Sequence, residues 1–544
     1  MKHVMIAAVI GCLVTTSCNQ VAGWFGTNSD STSGQELDSS SYAAFVRDES
    51  ITQANAYSDL FLDSTSLEKY IQDKKVDNEN ARALRNFYLV RNYQYAWFTT
   101  NGLTEQGRGL WNLSSADSIA AHKDFKNHMD SLVENDSLTI PNGDTSFVQT
   151  ELSLTNELIQ IAHTKNNGLI NASNFYYLVP SKKQDPLQMA DSILKGQTDS
   201  TLYKGNKPYA SLKQQLAIYF EAAKDSSWQA LSSAANNLKK GAKSDAVTAI
   251  KKRLQVINEY TTADTSNVFT DSLETALKEY QKRNGLAPTG VVNDSLITVL
   301  NITPQQRVEQ ILVNMNRMLW MHPVEDSSRV VVNIPSLMLE VFTDSGHVVE
   351  MPVIVGKEGT STLMFNGDIS KIVFNPTWTI PESIVKNEIL PKMKSDPGYL
   401  KKKNMEIVSQ NDSIPVIKQL PGKDNALGNV KFLFPNSYDI YLHDTPDKTL
   451  FARKDRALSH GCIRVADAEK LAKYILKDQS EWTAEKIRTA MTGNKEQTVE
   501  VTNKKPVYIT YYTAWTDENG KMNFRNDIYG HDKETADRMF TRTG

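Results

Sequence analysis

The hydrophobic period of this chain changes near residue 325, and that change limits the possible folds more than any other feature. Residues 304–321 (PQQRVEQILVNMNRMLWM) place apolar side chains at three- and four-residue steps, which predicts an amphipathic helix. Residues 329–356 (RVVVNIPSLMLEVFTDSGHVVEMPVIVG) instead alternate in short β-branched runs, with Asp-Ser-Gly at the expected tip of a hairpin. The chain therefore combines a helical part with a mostly-β part, and its 544 residues suffice for about three or four domains.

Most of the chain before residue 304 also has the helical period. Residues 67–93 and 211–241 carry apolar side chains at helical spacing, so we expect a helical scaffold domain over 41–240. Residues 19–40 are rich in Ser, Gly, Asn and Asp and have little to bury, which predicts a flexible tether.

The first eighteen residues are typical of an export segment. Lys2 and His3 precede the apolar run VMIAAVIGCLVTT, which is too short for a comfortable transmembrane span. The run ends at Ser17-Cys18, and a small residue before a cysteine at this point resembles a bacterial lipoprotein signal. Cys12 is a second candidate for the processed cysteine, and an ordinary cleaved signal or a retained anchor are the alternatives. Each of these interpretations places the mature chain outside the cytoplasm.

Cys462 is the one cysteine beyond the export segment, since the chain has three in all. A single leftover cysteine in an exported chain forms an intermolecular disulfide, lies inert in a core, or acts as a nucleophile. The neighbours favour a nucleophile, because His443 ends a predicted strand nineteen positions earlier and His460 and Gly461 directly precede Cys462, which we expect to end the next extended run. An imidazole can take the thiol proton, which leaves a thiolate–imidazolium pair. The freedom of Gly461 would let its amide and that of Cys462 line an oxyanion hole.

Other interpretations of the same residues are weaker. His443, His460, Cys462 and Asp444 could bind zinc, but Ser-His-Gly-Cys lacks the ligand spacing of structural zinc sites, so we expect no metal. In papain-like enzymes the cysteine comes before the histidine, whereas here His443 comes first. The net charge of −3 gives no bulk basic field, so nucleic acid is not favoured as a partner.

Residues 443–465 (HDTPDKTLFARKDRALSHGCIRV) resemble the signature of the L,D-transpeptidases. That signature is a His, about fifteen residues, then Ser/Thr-His-Gly-Cys with Arg or Asn two positions on. Residues 351–381 and the DPGYL of 396–400 further resemble the large periplasmic members from Gram-negative bacteria. The resemblance implies a mostly-β catalytic domain over 304–535 with an inserted lid subdomain at about 383–427.

A second resemblance lies just before that domain. Residues 281–292 (QKRNGLAPTGVV) separate two amphipathic segments with Asn-Gly and Pro-Thr-Gly turns. They resemble the three-helix peptidoglycan-binding module of cell-wall enzymes, which would occupy 241–303, with an ordinary helical hairpin as the alternative. The expected fold class is therefore α+β and multidomain: a helical scaffold, the three-helix module and the capped catalytic domain.

The family resemblance implies roles for five residues. Cys462 matches the nucleophile that attacks the carbonyl on the L-centre of the diamino acid in a donor tetrapeptide stem, so that D-alanine leaves and a thioester remains. His443 matches the base, and the carbonyl of Asp444 lies where the family orients that imidazole. The amides of His460 and Gly461, with that of Cys462, match the segment that stabilises the oxyanion.

Four residues are candidate substrate contacts. Arg464 suits a stem-peptide carboxylate, which its planar fork can bind bidentately, with a structural ion pair as the alternative. Tyr441 and Trp378 are candidate pocket walls, for which simple packing is the alternative, and Asp444 completes the set. The partners implied are peptidoglycan stem peptides and glycan strands, and the mechanism needs no metal or organic cofactor.

The sequence thus predicts an exported, lipid-anchored periplasmic L,D-transpeptidase that cross-links peptidoglycan between the diamino acids of two stems. One alternative is an L,D-carboxypeptidase that hydrolyses tetrapeptide stems with the same thioester. The other is a wall-binding scaffold with a vestigial active site. The resemblance also implies that carbapenems acylate Cys462.

Overall fold

The structure is a computed structural model, and it describes residues 46–114, 123–134, 138–164, 178–196, 205–225, 228–321, 328–409, 414–493 and 495–541. The predicted export segment and tether, with Cys12 and Cys18, lie outside the described residues. No helix in those ranges is both long enough and apolar enough to cross a membrane.

The first part of the chain is helical, as its period predicts. Its helices are α1 Ser64–Asp73, α2 Asn78–Leu89, α3 Glu105–Leu113, α4 Lys123–Glu134, α5 Val148–Thr164, α6 Pro186–Leu194, α7 Lys207–Ala223, α8 Asp245–Val256, α9 Asp271–Arg283, α10 Asp294–Leu300 and α11 Pro304–Leu319. A short hairpin of β1 (Phe98–Thr99) and β2 (Gly102–Leu103) separates α2 from α3. Helix α11 begins with a capping box in which Thr303 and Gln306 satisfy each other's backbone amides.

The helical expectation over 211–241 is wrong for its second half. Helix α7 ends at Ala223, and the described residues from 228 to 241 contain only a 3₁₀ turn at Ser233–Ala235. Local hydrogen bonding explains the difference, because the Asn236 side chain accepts the amide of Asn237 and Asn237 adopts φ 66°. Short polar side chains offer the backbone this alternative to a helix.

The three helices predicted for the small module are confirmed as α8, α9 and α10. Helix α9 ends at the predicted Asn-Gly turn, where Gly285 adopts φ 68°, a conformation that favours glycine. The Gln281 side chain, fully buried, holds the following loop by accepting the amide of Gly290 and donating to the carbonyl of Val291.

After residue 328 the structure is built mainly from strands. They are β3 Arg329–Asn333, β4 Met338–Thr343, β5 Gly346–Gly356, β6 Phe365–Phe374, β7 Trp378–Thr379, β8 Met405–Ser409, β9 Val416–Gln419, β10 Val430–Leu433, β11 Leu442–His443, β12 Ala457–Ser459, β13 Ile463–Val465, β14 Gln497–Thr510, β15 Ala514–Thr516 and β16 Met522–Phe524. The predicted β4–β5 hairpin is confirmed, with Gly346 at φ 97° in its tip.

Nine of these strands form one mixed sheet in the order β12-β5-β13-β11-β10-β6-β14-β3-β4. Strand β4 also pairs with β5, so the sheet closes on itself. One face of its strands encloses a continuous apolar core that includes Val332, Val353, Phe432 and Ile509. Helices α15 (Ala468–Ile475) and α16 (Ala484–Thr492), numbered after the lid helices, add Leu471 and Ile487 to this core.

The insertion between β6 and β10 forms a small lid subdomain. Its helical elements are α12 Glu382–Ile384, a π turn at Val385–Ile389, α13 Leu390–Ser395 and α14 Tyr399–Lys402. The sequence indicated these helices and loops but not the three-stranded sheet β7-β9-β8 beside them. Ile380, Val385, Ile389 and Ile417 form a separate apolar cluster under this sheet. We call the segment from 378 to 427 the lid.

The helical part and the end of the chain share a core. Helix α11 packs along α7, and the β15–β16 hairpin and the final helix α17 (His531–Met539) join the same apolar cluster. The Tyr219 and Phe524 rings meet edge to face at 5.6 Å, and the Gln184 amide donates to the Met539 carbonyl at 2.9 Å. The predicted domain boundaries at 240, 303 and 535 stay predictions, and side-chain packing crosses each of them.

Candidate active site

Two short strands place three predicted site residues on one face of the sheet. Strands β11 and β13 pair in parallel, with Leu442 opposite Ile463 and His443 opposite Arg464. Leu442 and Ile463 are fully buried in the core of the sheet. Because side chains alternate along a strand, Tyr441 and His443 project from the opposite face, as does Arg464. Cys462 directly precedes β13 and is hydrogen-bonded by Tyr441. We call this opposite face the site face.

Cys462 does not end an extended run, as the sequence suggested, but lies in the turn between β12 and β13. Gly461 adopts φ 113°, which breaks the strand and favours glycine there. The Ser459 hydroxyl donates to the Cys462 carbonyl at 2.6 Å and accepts the Gly461 amide at 3.2 Å. From the β5–β6 connection, the Thr362 hydroxyl donates to the Gly461 carbonyl at 2.7 Å. The turn that carries the thiol is therefore fixed from both sides.

The same contacts revise the expected oxyanion hole. The Gly461 amide is occupied by the Ser459 hydroxyl, so it does not point into open space. The amides of His460 and Cys462 donate no hydrogen bond to any described residue. These two N–H groups are the free donors of the turn.

His443 is buried and held in one tautomer by the backbone. Its Nδ1 lies 2.6 Å from the carbonyl oxygen of Asp444, and since a carbonyl only accepts, Nδ1 carries the proton. Nε2 then carries the lone pair of the neutral ring. Burial, and after it the positive charge of Arg464, lowers the pKa of His443 to about 3. The imidazole is therefore a neutral base at physiological pH.

Cys462 is a half-buried free thiol. Its Sγ lies 3.6 Å from the carbonyl of Asp439. Burial raises the pKa of the Cys462 thiol, and hydrogen bonding from Tyr441 offsets part of that rise. The lowered pKa of His443 and the raised pKa of Cys462 both oppose the thiolate–imidazolium pair suggested by the sequence. At rest, the Cys462 thiol and the His443 imidazole are both neutral.

Asp444 contributes its carbonyl to the site and uses its carboxylate elsewhere. The carboxylate accepts the Asn429 amide at 2.9 Å and pairs with Lys448. Gly428, at φ 62°, approaches it so closely that a Cβ there would lie 2.5 Å from Asp444 Oδ2. This carboxylate is not available to a substrate, so the substrate-contact role predicted for Asp444 has no support in the geometry.

Tyr441 connects the thiol to the lid. Its ring meets that of His443 at 5.7 Å. Burial and the neighbouring Cys462 raise the pKa of Tyr441, while a hydrogen bond from the indole of Trp378 acts in the opposite direction. Trp378 lies on β7 and packs against the apolar cluster of the lid. Both predicted wall residues thus lie at the site, between the sheet and the lid.

Arg464 lies on the site face beside His443. Its Nε is buried without a hydrogen-bond partner. Burial lowers the pKa of the guanidinium, and Asp447 and Cys462 offset part of that change. None of the described carboxylates lies within 4.0 Å of it, so the structural ion pair that was its alternative role is not seen among them.

The four residues that were weighed as an alternative zinc site do not converge on a common point. His443 directs Nδ1 to a backbone carbonyl, whereas His460 Nε2 lies 3.0 Å from Glu388 Oε1 on the π turn of the lid. In the part of the chain that the structure describes, no group of three His, Cys, Asp or Glu side chains could hold a metal ion. His460 instead links the cysteine turn to the lid.

Sequence reasoning missed Lys431, Ser459, Thr362 and Glu388. Lys431 lies directly opposite His443 in the β10–β11 pair. The alternation in VKFL predicts that Lys431 faces away from the core, but the sequence carries no sign of the register that brings it to His443. Ser459 stands within the motif, and its hydroxyl was a recognisable turn-forming group.

Three protein-family models match consecutive parts of this chain. The model described as "L,D-transpeptidase catalytic domain" matches residues 327–509. "Scaffold domain" matches residues 82–216, and "Putative peptidoglycan binding domain" matches residues 243–300.

One curated relative and several solved structures resemble the chain. A Haemophilus influenzae protein named "Putative L,D-transpeptidase" is 37% identical over 221 residues, which is 38% of this chain and 45% of the relative. The match thus spans less than half of the relative's length. An L,D-transpeptidase from Mycobacterium smegmatis is 13% identical, with a TM-score of 0.19 over 34% of this chain and 58% of that one. One from Stackebrandtia nassauensis is 14% identical, with a TM-score of 0.21 over 44% and 89%.

Proposed function

We propose that this protein cross-links peptidoglycan stem peptides through a thioester on Cys462, since residues 327–509 match the family model for the L,D-transpeptidase catalytic domain. A scaffold domain and a peptidoglycan-binding domain precede the catalytic domain. The observation that supports the reaction most is the parallel pairing of β11, which ends at His443, with β13, which Cys462 directly precedes, with His443 Nδ1 fixed on the Asp444 carbonyl. That arrangement leaves Nε2 as a base toward the thiol of Cys462, which lies two positions before Arg464, the residue opposite His443 on the neighbouring strand.

The acylation step begins from the neutral pair. As Cys462 Sγ bonds to the carbonyl carbon of the donor's diamino acid, its proton passes to His443 Nε2. The oxyanion that forms is stabilised by the amides of His460 and Cys462. Its collapse breaks the C–N bond to D-alanine, and the proton on Nε2 goes to the departing amine nitrogen. A thioester remains on Cys462.

The second step transfers the acyl group to an amine. The acceptor's amine attacks the thioester carbon, and His443 Nε2 removes the proton that the amine loses. The C–S bond breaks, and that proton returns to the thiol. The lid lies beside this reaction through Trp378 and Glu388, and excluding water there would favour the amine over hydrolysis.

The proposed location is the cell-wall side of a membrane. The peptidoglycan-related domains suggest a periplasmic, cell-wall setting. The proposal includes an N-terminal export segment and a lipid on Cys18. Metabolic labelling with a fatty acid in wild type, Cys18→Ala and Cys12→Ala would test the lipid. Label that persists in Cys18→Ala and disappears in Cys12→Ala would move the anchor to Cys12.

The reaction is tested by product analysis. The full chain is incubated with a soluble tetrapeptide stem, with and without an excess of a stem that offers only an acceptor amine, and products are identified by mass. Cross-linked dimer that requires the acceptor is the expected result, and Cys462→Ala should form none. Tripeptide without any dimer would identify a carboxypeptidase. No turnover, together with retained binding to purified sacculi, would leave a wall-binding scaffold.

A further inference from the structure

Three side chains form one row across three adjacent strands of the site face. Lys431 on β10 lies opposite His443 on β11, and His443 lies opposite Arg464 on β13. Directly paired residues share a face of a sheet. Both ends of the row are cationic, and the base stands between them. The Cα positions of Lys431 and Arg464 are thus two strand spacings apart, about 9.5 Å.

Lys431 belongs to the site rather than to the solvent. Its ammonium lies 5.8 Å from the centre of the Tyr441 ring, and Tyr441 is the neighbour of the thiol. The side chain is half-buried. Burial lowers the pKa of Lys431, and the negative charges of Glu496 and of ionised Cys462 act against that change.

The ammonium of Lys431 has no carboxylate within 4.0 Å among the described residues. Glu496, whose charge acts on it, is exposed and accepts the amide of Thr377 at 2.5 Å. Lys371 on β6, a lysine of the same face, is paired: its Nζ lies 2.9 Å from Glu500 Oε1. A partly desolvated ammonium without an anion favours binding of one from outside.

We propose that Lys431 binds a carboxylate of the acyl-donor stem peptide, on the side of His443 opposite Arg464. This inference rests on the proposed function. The donor offers two carboxylates near the reacting carbonyl: that of the terminal D-alanine and, where the diamino acid carries one, that of its side chain. With cations at both ends of the row, the resting face has two positive charges that a dicarboxylate donor neutralises. The geometry thus assigns recognition of the donor to the row, and nucleophilic attack to the neighbouring Cys462.

The test measures binding separately from turnover. Cys462→Ala is titrated calorimetrically with a tetrapeptide stem that contains a diamino dicarboxylic acid and ends in D-alanine. Adding Lys431→Gln should raise Kd about 10- to 100-fold, as expected for loss of a charged hydrogen bond. Adding Lys431→Arg should restore most of the affinity. Adding Lys371→Gln is the matched control, since it removes a paired lysine of the same face, and should change Kd less than about twofold.

Two modified donors identify the carboxylate. One stem has its terminal carboxylate amidated and the other has the diamino-acid carboxylate amidated. Amidation of the carboxylate that Lys431 binds should weaken binding to Cys462→Ala. The same amidation should have no further effect once Lys431→Gln is added. The proposal would be overturned by any of three results. Kd could be equal with and without Lys431→Gln, the losses caused by each amide and by Lys431→Gln could be additive, or no binding could be measurable. Cross-linking by wild type, assayed in parallel, reports separately on the proposed function.

Discussion

Arg317 in the helical body and Arg464 on the site face differ in how their positive charges are paired. In the helical body, Arg317 on α11 is 2% exposed and lies between the carboxylates of Glu105 and Asp532, with Nη2 2.9 Å from Glu105 Oε2 and Nη1 2.9 Å from Asp532 Oδ1. Its Nη1 also donates to the carbonyl of Tyr511 at 2.8 Å. On the site face, Arg464 has a buried Nε without a partner and no described carboxylate within 4.0 Å.

Lys251 in the helical body and Lys431 on the site face differ in the same way. Lys251 on α8 is buried, and its ammonium reaches Asp264 at 2.6 Å and the carbonyl of Val268 at 2.7 Å. Lys431 on the site face has no comparable anion among the described residues. Buried charge is usually paired because desolvation is expensive, so a cation left unpaired marks a place where a ligand completes the site. Arg317 and Lys251 thus have carboxylate partners within the protein, whereas Arg464 and Lys431 have none among the described residues and lie where the substrate would bind.

The largest effect should come from breaking the paired region. Arg317→Met leaves Glu105 and Asp532 buried without their cation, and we expect a loss of about 3–5 kcal/mol in the free energy of unfolding. Urea unfolding followed by circular dichroism measures it. The matched change on the site face, Arg464→Met, leaves no carboxylate without its cation. It should alter the free energy of unfolding by less than about 1 kcal/mol. Equal losses in both variants would remove the distinction between the two regions.

The neutral resting pair gives the second prediction, a pH profile. The pKa of His443 is lowered to about 3, so the imidazole stays uncharged from pH 6 to 9. The pKa of the thiol is raised above its ordinary value, so the thiolate fraction should grow about tenfold per pH unit from pH 6 to 8. Alkylation of Cys462 by iodoacetamide, followed by mass, should therefore accelerate about 100-fold from pH 6 to 8. A rate that is already constant above pH 5 would indicate a preformed thiolate–imidazolium pair.

Much of this architecture follows from local patterns, and the rest depends on long-range pairing. The switch from helical to alternating period near residue 325 predicts the helical and mostly-β parts, and the lone Cys462 with His443 predicts the centre of the site. The helical spacing after Ala223 does not overcome the local hydrogen bond of the Asn236 side chain to the Asn237 amide. The row through Lys431 depends on the register of β10 against β11, which strands of four and two residues do not encode locally.

The third prediction concerns donor recognition by the unpaired arginine. Arg464→Gln should raise KM for the donor stem about tenfold or more, because a bidentate, charged contact to a carboxylate is lost. Initial rates of D-alanine release at varied donor concentration measure it. Arg488→Gln is the control, since Arg488 is exposed on α16 and pairs with Glu469 at 2.8 Å. If the two variants behaved alike, the unpaired state of Arg464 would have no bearing on substrate.

The smallest effect is expected at the lid. Glu388→Gln removes the exposed carboxylate that lies 3.0 Å from His460, and exposed ion pairs contribute about 0–1 kcal/mol. The ratio of tripeptide to cross-linked dimer should rise by no more than about fivefold, because a less closed lid admits water to the thioester. Glu406→Gln, at an exposed position on β8 of the same lid, is the control. A ratio that falls in Glu388→Gln would contradict a closing role for this contact.

The central claim, that Cys462 is an acyl-accepting thiol served by His443, is tested most directly by intact-protein mass spectrometry with a carbapenem. The full chain is compared as wild type, Cys462→Ala and His443→Ala, each checked for folding by circular dichroism. We predict one covalent adduct on wild type, none on Cys462→Ala, and formation slowed about 10²- to 10⁴-fold in His443→Ala. A folded wild type that forms no adduct, or a Cys462→Ala protein that still forms one, would contradict the account.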